Sequence, residues 1–458
     1  MSIIRHIFVT TVCTIVVAMP SAIAQFAFGE AIVSDCGLDS REVTMVDLNE
    51  DEHLDLAVVN FSSNSVTSMF GDGLGKFNCS YPFPIGSFPT DIAHGDFDGD
   101  GFIDLIVLTQ EPEDELTLLY GKGDGIFDDL ASIDAGSPND VVVADFDAND
   151  IPDIAVAEGF STVKTLLGQE NGAFNLASTT TVGDAPIVLF SADLNRDGIP
   201  DLVTGHGLSN DFSIIFGNGF GNFSAPIFYP TDGNPWDFQL IDVTNDDYLD
   251  LIVAVNDEVS VIEIYKGNGM GHFTLFSSIP TNFQPLGLVV ADFNNNGLND
   301  LAVSVNNLNN NNILLFQGNG TGLFVESTQL SAPGFPSQLF AEDVNKDGLK
   351  DIVVNDFRIS TFLNNEIINA TKAVAATRHF GIFPNPAHTD VLNIQIANIL
   401  LEEANILIVN NLGKIIHQQP TNSFKQIAIP LTNFDNGIYW VQIESNDFVA
   451  SEKLVVAK

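Results

Sequence analysis

Nine residues, Asp96 to Asp104 (DFDGDGFID), set carboxylates at positions 1, 3, 5 and 9, from Asp96, Asp98, Asp100 and Asp104, with Gly101 at position 6. Carboxylates this close repel one another unless a cation lies between them. Hard oxygen donors on a flexible loop suit Ca²⁺, which takes about 6–8 oxygens; a backbone carbonyl at position 7 and water would complete the shell. An EF-hand is excluded, because that loop needs an acid at position 12 and flanking helices, and position 12 here is Val107.

Six more copies keep the spacing. Loop one offers Asp47, Asn49, Asp51 and Asp55; loop three, Asp145, Asp147, Asn149 and Asp153; loop four, Asp193, Asn195, Asp197 and Asp201. Loop five offers Asp242, Thr244, Asp246 and Asp250; loop six, Asp292, Asn294, Asn296 and Asp300; loop seven, Asp343, Asn345, Asp347 and Asp351. Together these positions hold 21 carboxylates. Several Ca²⁺, up to seven, are the expected cofactors. Affinity should follow ligand charge, which ranks loops two, four and seven strongest and loop six, with two carboxylates, weakest. Loop one has Glu52 at position 6, a poor residue for a left-handed turn, while Asp150 and Asp247 in loops three and five tolerate it better.

The elements that position these loops repeat with them. Loop starts are 48–51 residues apart, a period that marks a repeat architecture. Each loop is preceded by a short apolar strand, as in VVVADF, and closes into a second strand such as DLIVLT or DIVVND. A third strand follows, then a glycine-rich turn ending in Phe (GDGLGKF to Phe77, GNGFGNF to Phe223), then an outer strand. These runs are short, β-branched and bounded by turn formers. Four strands per repeat match a propeller blade. The glycine strings sit between strands with no helix following, so they are hairpin turns, not dinucleotide sites. The seventh repeat stops at Ser360–Asn365 without turn or outer strand, and Phe26–Val33 stands before loop one as fourth strands stand before later loops. The expected fold is therefore an all-β, seven-bladed propeller closed by its N-terminal strand, which removes open sheet edges.

The chain has 458 residues, 45% of them hydrophobic, and a formal net charge of −44. A large core is available. Phosphate binding needs clustered Lys and Arg, so nucleic acid is excluded as a partner. Residues 1–24 read as a signal peptide: Arg5 and His6, an apolar run from Ile7 to Ala18, and Ala22-Ile23-Ala24 before Gln25. No later segment reaches transmembrane length without polar interruption. With Cys13 in the leader, Cys36 and Cys79 remain, as one disulfide or two thiols.

The seven loops and six glycine–Phe turns resemble the FG-GAP and VCBS repeat family, found in the integrin α-subunit propeller and in many bacterial exported proteins. The resemblance implies Ca²⁺ at the matching loop positions. It leaves function open, since the fold hosts adhesins, lectins and enzyme accessory regions.

Residues 367–379 include the small-residue stretch ATKAVAATR and read as a linker after a propeller of 25–366. From Phe380 to Lys458 a small β-sandwich is expected. It resembles the type A sorting domain of the type IX secretion system of Bacteroidota, through Pro384-Asn385-Pro386, the Leu392/Ile394 alternation, Asn411-Leu412-Gly413-Lys414, Gly437-Ile438-Tyr439 and Lys453-Leu454-Val455-Val456. The resemblance implies the type IX machinery as a partner and a secreted or surface-attached product.

No histidine lies in a nucleophile elbow or metalloprotease motif; His94 on an inner strand and His206 after a second strand are the nearest candidates. Acid pairs belong to the repeating loops, and an active site usually breaks a repeat. The expected function is a non-catalytic, calcium-binding adhesion or ligand-binding module for a glycan or protein. The alternatives are a polysaccharide-active enzyme using the channel mouth and a structural envelope protein.

Overall fold

The computed structural model describes residues 26–35, 39–80, 82–111, 115–170, 172–256, 260–307 and 312–365, then 380–383, 391–396, 404–410, 415–421, 426–432, 434, 436–445 and 449–457. The expected leader, the linker, Cys36, and the Pro384–Pro386 and Asn411–Lys414 motifs lie outside them. The chain divides into two compact units, Met1–Asn365 and Glu366–Lys458. Among the described residues every regular element is a strand.

Seven antiparallel sheets form the first unit. Blade two shows the pattern: Ser87–Gly95, Asp104–Glu111, Glu115–Gly121 and Phe127–Asp134, each paired with the next. The other loops likewise join a first strand to a second, as Ser40–Val46 to Asp55–Asn60 in blade one and Asn234–Ile241 to Asp250–Asn256 in blade five. First strands of successive blades pack side by side, so they line the axis of the ring. Blade one carries an additional short strand, Phe83–Pro84, on its third strand.

The second strands explain the layering. DLAVVN is buried at all six residues, because one face packs on the blade before and the other on the blade after. The core is accordingly continuous between neighbours: Ile252, Ala254, Ile262 and Ile264 of blade five meet Leu288, Leu301 and Val303 of blade six. Each Ile, Leu or Val side chain among these contributes about 1.5–3 kcal/mol on burial.

The N-terminal strand closes the ring. Ile32–Ser34 pairs antiparallel with Ile359–Phe362 as the fourth strand of blade seven. Phe28 bridges Asn364, and Phe26 is buried in the core shared by blades six and seven. Cys79, ending the fourth strand of blade one, is disulfide-bonded.

The second unit is a sandwich of a three-stranded sheet (Phe380–Phe383, Val391–Ile396, Gln426–Pro430) and a four-stranded sheet (Ile415–Thr421, Ala404–Asn410, Gly437–Ser445, Val449–Val456). Leu392 and Ile394 of one sheet and Ile406, Ile408, Val441 and Leu454 of the other form its core. This is why their alternation is visible in the sequence.

Candidate metal centres

Every loop is folded by its own side chains. The position 1 carboxylate accepts the position 6 N–H in all seven, at 2.7–3.0 Å, as Asp96 does from Gly101 and Asp343 from Gly348. The position 5 side-chain oxygen accepts the position 7 N–H at 2.7–3.1 Å. These Asx turns draw the oxygens inward. Positions 4 and 6 both have positive φ in every copy, from 53° at Asn295 to 94° at Gly101. Position 6 was legible from its glycines; position 4, held by Glu50, Ala148, Arg196 and Lys346 among others, was not.

Glu52 is held at φ 68° in loop one. A side chain in this region costs about 1–2 kcal/mol, part of which glycine returns as unfolded-chain entropy. Glu52→Gly should therefore stabilise the propeller by about 0.5–1 kcal/mol. A lower urea midpoint in the variant would refute this.

Position 9 has a second task. Asp55, Asp104, Asp153, Asp201, Asp250, Asp300 and Asp351 are all fully buried. One oxygen accepts the position 2 N–H at 2.8–3.2 Å. The other accepts an N–H from the end of the third strand at 2.7–3.0 Å: Gly71, Gly121, Gly168, Gly217, Gly267, Gly318 and, in blade seven, Asn364. The aspartate thus staples loop, second strand and third strand. The same six glycines explain their own identity, since a Cβ there would lie 1.9–2.3 Å from the position 8 carbonyl. Burial pushes the staple carboxyls up, to about 6 for Asp55, Asp104, Asp153, Asp201 and Asp351 and about 7 for Asp300, although the two N–H donors pull the other way.

The donor set fits a hard cation. Oxygens of Asp96, Asp98 and Asp104, and of Asp145, Asp147 and Asp153, lie within 4.8 Å of one another, about twice a calcium–oxygen bond. Among the described residues, three carboxylates converge in this way in loops two and three. At position 3, Asp147 Oδ1, Thr244 Oγ1 and Asn294 Oδ1 are buried without a hydrogen-bond partner. A buried orphan oxygen is costly unless something binds it.

Around the axis lies a group that was not foreseen. Five residues before the loops of blades one to six, the first strand bulges, at Glu42, Asp91, Asp140 and Asp237 among others. Asp91 accepts Val141 N–H of the next blade, Asp140 accepts Leu189 N–H, Asp237 accepts Leu288 N–H and Gln338 accepts Val43 N–H. They latch neighbouring blades. Burial and then repulsion from Asp91 push Glu42 and Asp140 well above the usual carboxylate range. The signal was an acidic or amide residue recurring five before the loop start.

His206 and His94 each hold hydrogen-bond partners within the blades. His206 is fully buried; its Nδ1 is 2.6 Å from Asp211 Oδ1, and its Nε2 accepts Gly183 N–H at 3.1 Å. The Ser213 hydroxyl is 3.4 Å from Nε2 and fully buried, so this Asp–His–Ser line offers no surface to a substrate. His94 Nδ1 bonds Thr44 Oγ1 at 2.6 Å.

A ring of four-stranded blades, each stapled by a buried aspartate beneath an oxygen-rich loop, defines a repeat propeller. FG-GAP-like repeats match at residues 47–107, 96–156, 145–204, 193–253, 242–303 and 296–354. The chain belongs to the FG-GAP-like repeat family. Residues 381–457 match the secretion system C-terminal sorting domain, and this type IX sorting domain marks the chain for export to the cell surface or the medium. No helix among the described residues is long and apolar enough to cross a membrane. No curated protein matches the chain. Among solved structures it is similar to BBS1N in its complex with ARL6DN, soaked with lead, at 11% identity and TM-score 0.53 over 75% of this chain and 99% of that one. A protein from Lactobacillus plantarum is similar at 14% identity and TM-score 0.47, over 84% and 98% of the two chains.

Proposed function

We propose that the protein is a calcium-loaded, non-catalytic propeller that is exported by the type IX route and binds a glycan or protein ligand outside the cell. The observation that supports the metal half is the set of orphaned buried oxygens at position 3 of the repeating loops, Asp147 Oδ1, Thr244 Oγ1 and Asn294 Oδ1. The seven loops stand at one end of the ring. The opposite end, where second strands turn into third and outer strands return to the axis, carries Phe88, Phe160, Trp236, Phe335 and Phe357, 40–85% exposed. Phe61 with Phe88 and Phe335 with Phe357 pair at 5.3 and 5.4 Å. Exposed aromatics gathered on one face support a binding surface, and the calcium end holds the blades that present it.

Calorimetric titration should find several Ca²⁺ per chain. Fewer than three would remove the metal reading. Calcium-dependent binding on a glycan or protein array, lost in a Phe160→Ala/Trp236→Ala double variant, is the expected result for the ligand half. Undiminished binding by that variant would move the ligand site elsewhere.

A further inference from the structure

Loop five departs from its six counterparts in one contact. Lys266 Nζ lies 2.8 Å from Asp246 Oδ2, the position 5 carboxylate. Asp246 Oδ1 is already taken by Tyr248 N–H at 3.1 Å, so both oxygens are engaged. In loops one, four and seven the second position 5 oxygen instead meets the neutral amide of the same loop's position 3 Asn, at 3.0–3.1 Å. Lys266 occupies the residue before the glycine that ends the third strand. The equivalent residues are Phe70, Tyr120, Leu167, Phe216, Gln317 and Leu363, none of them charged.

Other basic residues near the loops behave differently. Arg196, at position 4 of loop four, stacks over Tyr248 at 4.5 Å, and Lys346, at position 4 of loop seven, reaches outward to Glu52. Among the described residues, Lys266 is the cation that pairs with a loop carboxylate at a ligand position. The hydrogen bond to Asp246, followed by the fields of Asp246, Asp250 and Asp242, raises its pKa further.

We infer that loop five is closed by its own lysine: the Lys266 ammonium is the counter-ion for Asp246, and Ca²⁺ does not load there at concentrations that fill the other loops. A dication entering the loop meets the Lys266 ammonium and must first displace it from Asp246. Loop five also offers only a neutral hydroxyl, Thr244 Oγ1, at position 3, where loops two and three have carboxylates. Blade five would then keep its fold when calcium is withdrawn.

This inference rests on the calcium reading of the other loops, and the test separates the two. Calcium bound per chain is counted by calorimetry and elemental analysis at about 1 mM Ca²⁺, in the range of extracellular modules. Lys266→Met should bind one ion more than the unmodified chain, and adding Asp246→Ala should abolish that gain. Asp246→Ala alone should bind as many ions as the unmodified chain, whereas Asp100→Ala in loop two should bind one fewer. A loss of one ion in Asp246→Ala alone, or no gain in a folded Lys266→Met, overturns the inference. Should Lys266→Met not fold, the comparison of Asp246→Ala with the unmodified chain decides it. No bound calcium in the unmodified chain, with Asp100→Ala unchanged, overturns the calcium reading itself.

Discussion

In chelator at neutral pH the propeller should melt roughly 10–20 °C below its calcium-saturated temperature. Ca²⁺ binds folded loops and has little affinity for the unfolded chain, so one site at 100 times its dissociation constant contributes about 2.7 kcal/mol, and independent sites add. Spread over the unfolding entropy of a propeller this size, several sites give a shift of that order. Loops are also tied to their neighbours. Gly221, Gly271 and Gly322, in the glycine turns of blades four, five and six, donate to the position 2 carbonyls of the preceding blades' loops, Phe146, Leu194 and Val243, at 2.9–3.0 Å. Disorder in one loop therefore loosens the next blade's turn.

The pH dependence should change sign with the metal. Without calcium, burial pushes the carboxyls of Asp55, Asp104, Asp153, Asp201 and Asp351 up to about 6, above the 3.8 of an ordinary aspartate. The folded chain then holds more protons than the unfolded chain between about pH 4 and 6, so stability falls as pH rises through that window. With calcium, the ion favours the ionised carboxylates, and acid should destabilise by expelling it. Differential scanning fluorimetry from pH 4.5 to 7.5, with calcium and with chelator, reads both. A melting temperature indifferent to both would mean that the Asx turns alone hold the loops.

Much of this was legible because it is local. The loop oxygens lie within nine residues of one another, the position 6 turn is written in Gly101, Gly198, Gly297 and Gly348, and the second strands announce themselves as continuous apolar runs. Ring closure was legible too, since blade seven lacked an outer strand and residues from Phe26 supplied one. What escaped depends on contacts between distant residues. Lys266 is 20 residues from Asp246, and its reach into the loop follows from the pairing of the second and third strands of blade five. The Asp91 and Asp140 latches act on the neighbouring blade, about 50 residues away. The double task of position 9 was hidden for a related reason: spacing identified the carboxylate as a ligand, while its burial and its third-strand partner are tertiary facts.

That double task should make Asp104→Ala the costlier of two substitutions in one loop, and the difference should appear without metal. Asp104 is fully buried, with its oxygens on Phe97 N–H at 2.9 Å and Gly121 N–H at 2.7 Å. Removing the carboxylate leaves two N–H groups without an acceptor in the interior, at about 1–3 kcal/mol each. A loss of roughly 2–6 kcal/mol is expected in chelator. Asp100 accepts Phe102 N–H in an exposed turn, where water can replace the carboxylate. Asp100→Ala should cost under about 1 kcal/mol in chelator, as exposed substitutions do, and should lose its ion when calcium is present. Asp104→Asn should fall between the two, because the amide keeps one acceptor but turns an NH₂ toward a donor. Urea unfolding of the three variants in chelator and in calcium gives the comparison. Equal losses for Asp104→Ala and Asp100→Ala in chelator would mean that position 9 is only a metal ligand and that the blade holds its strands together without the staple.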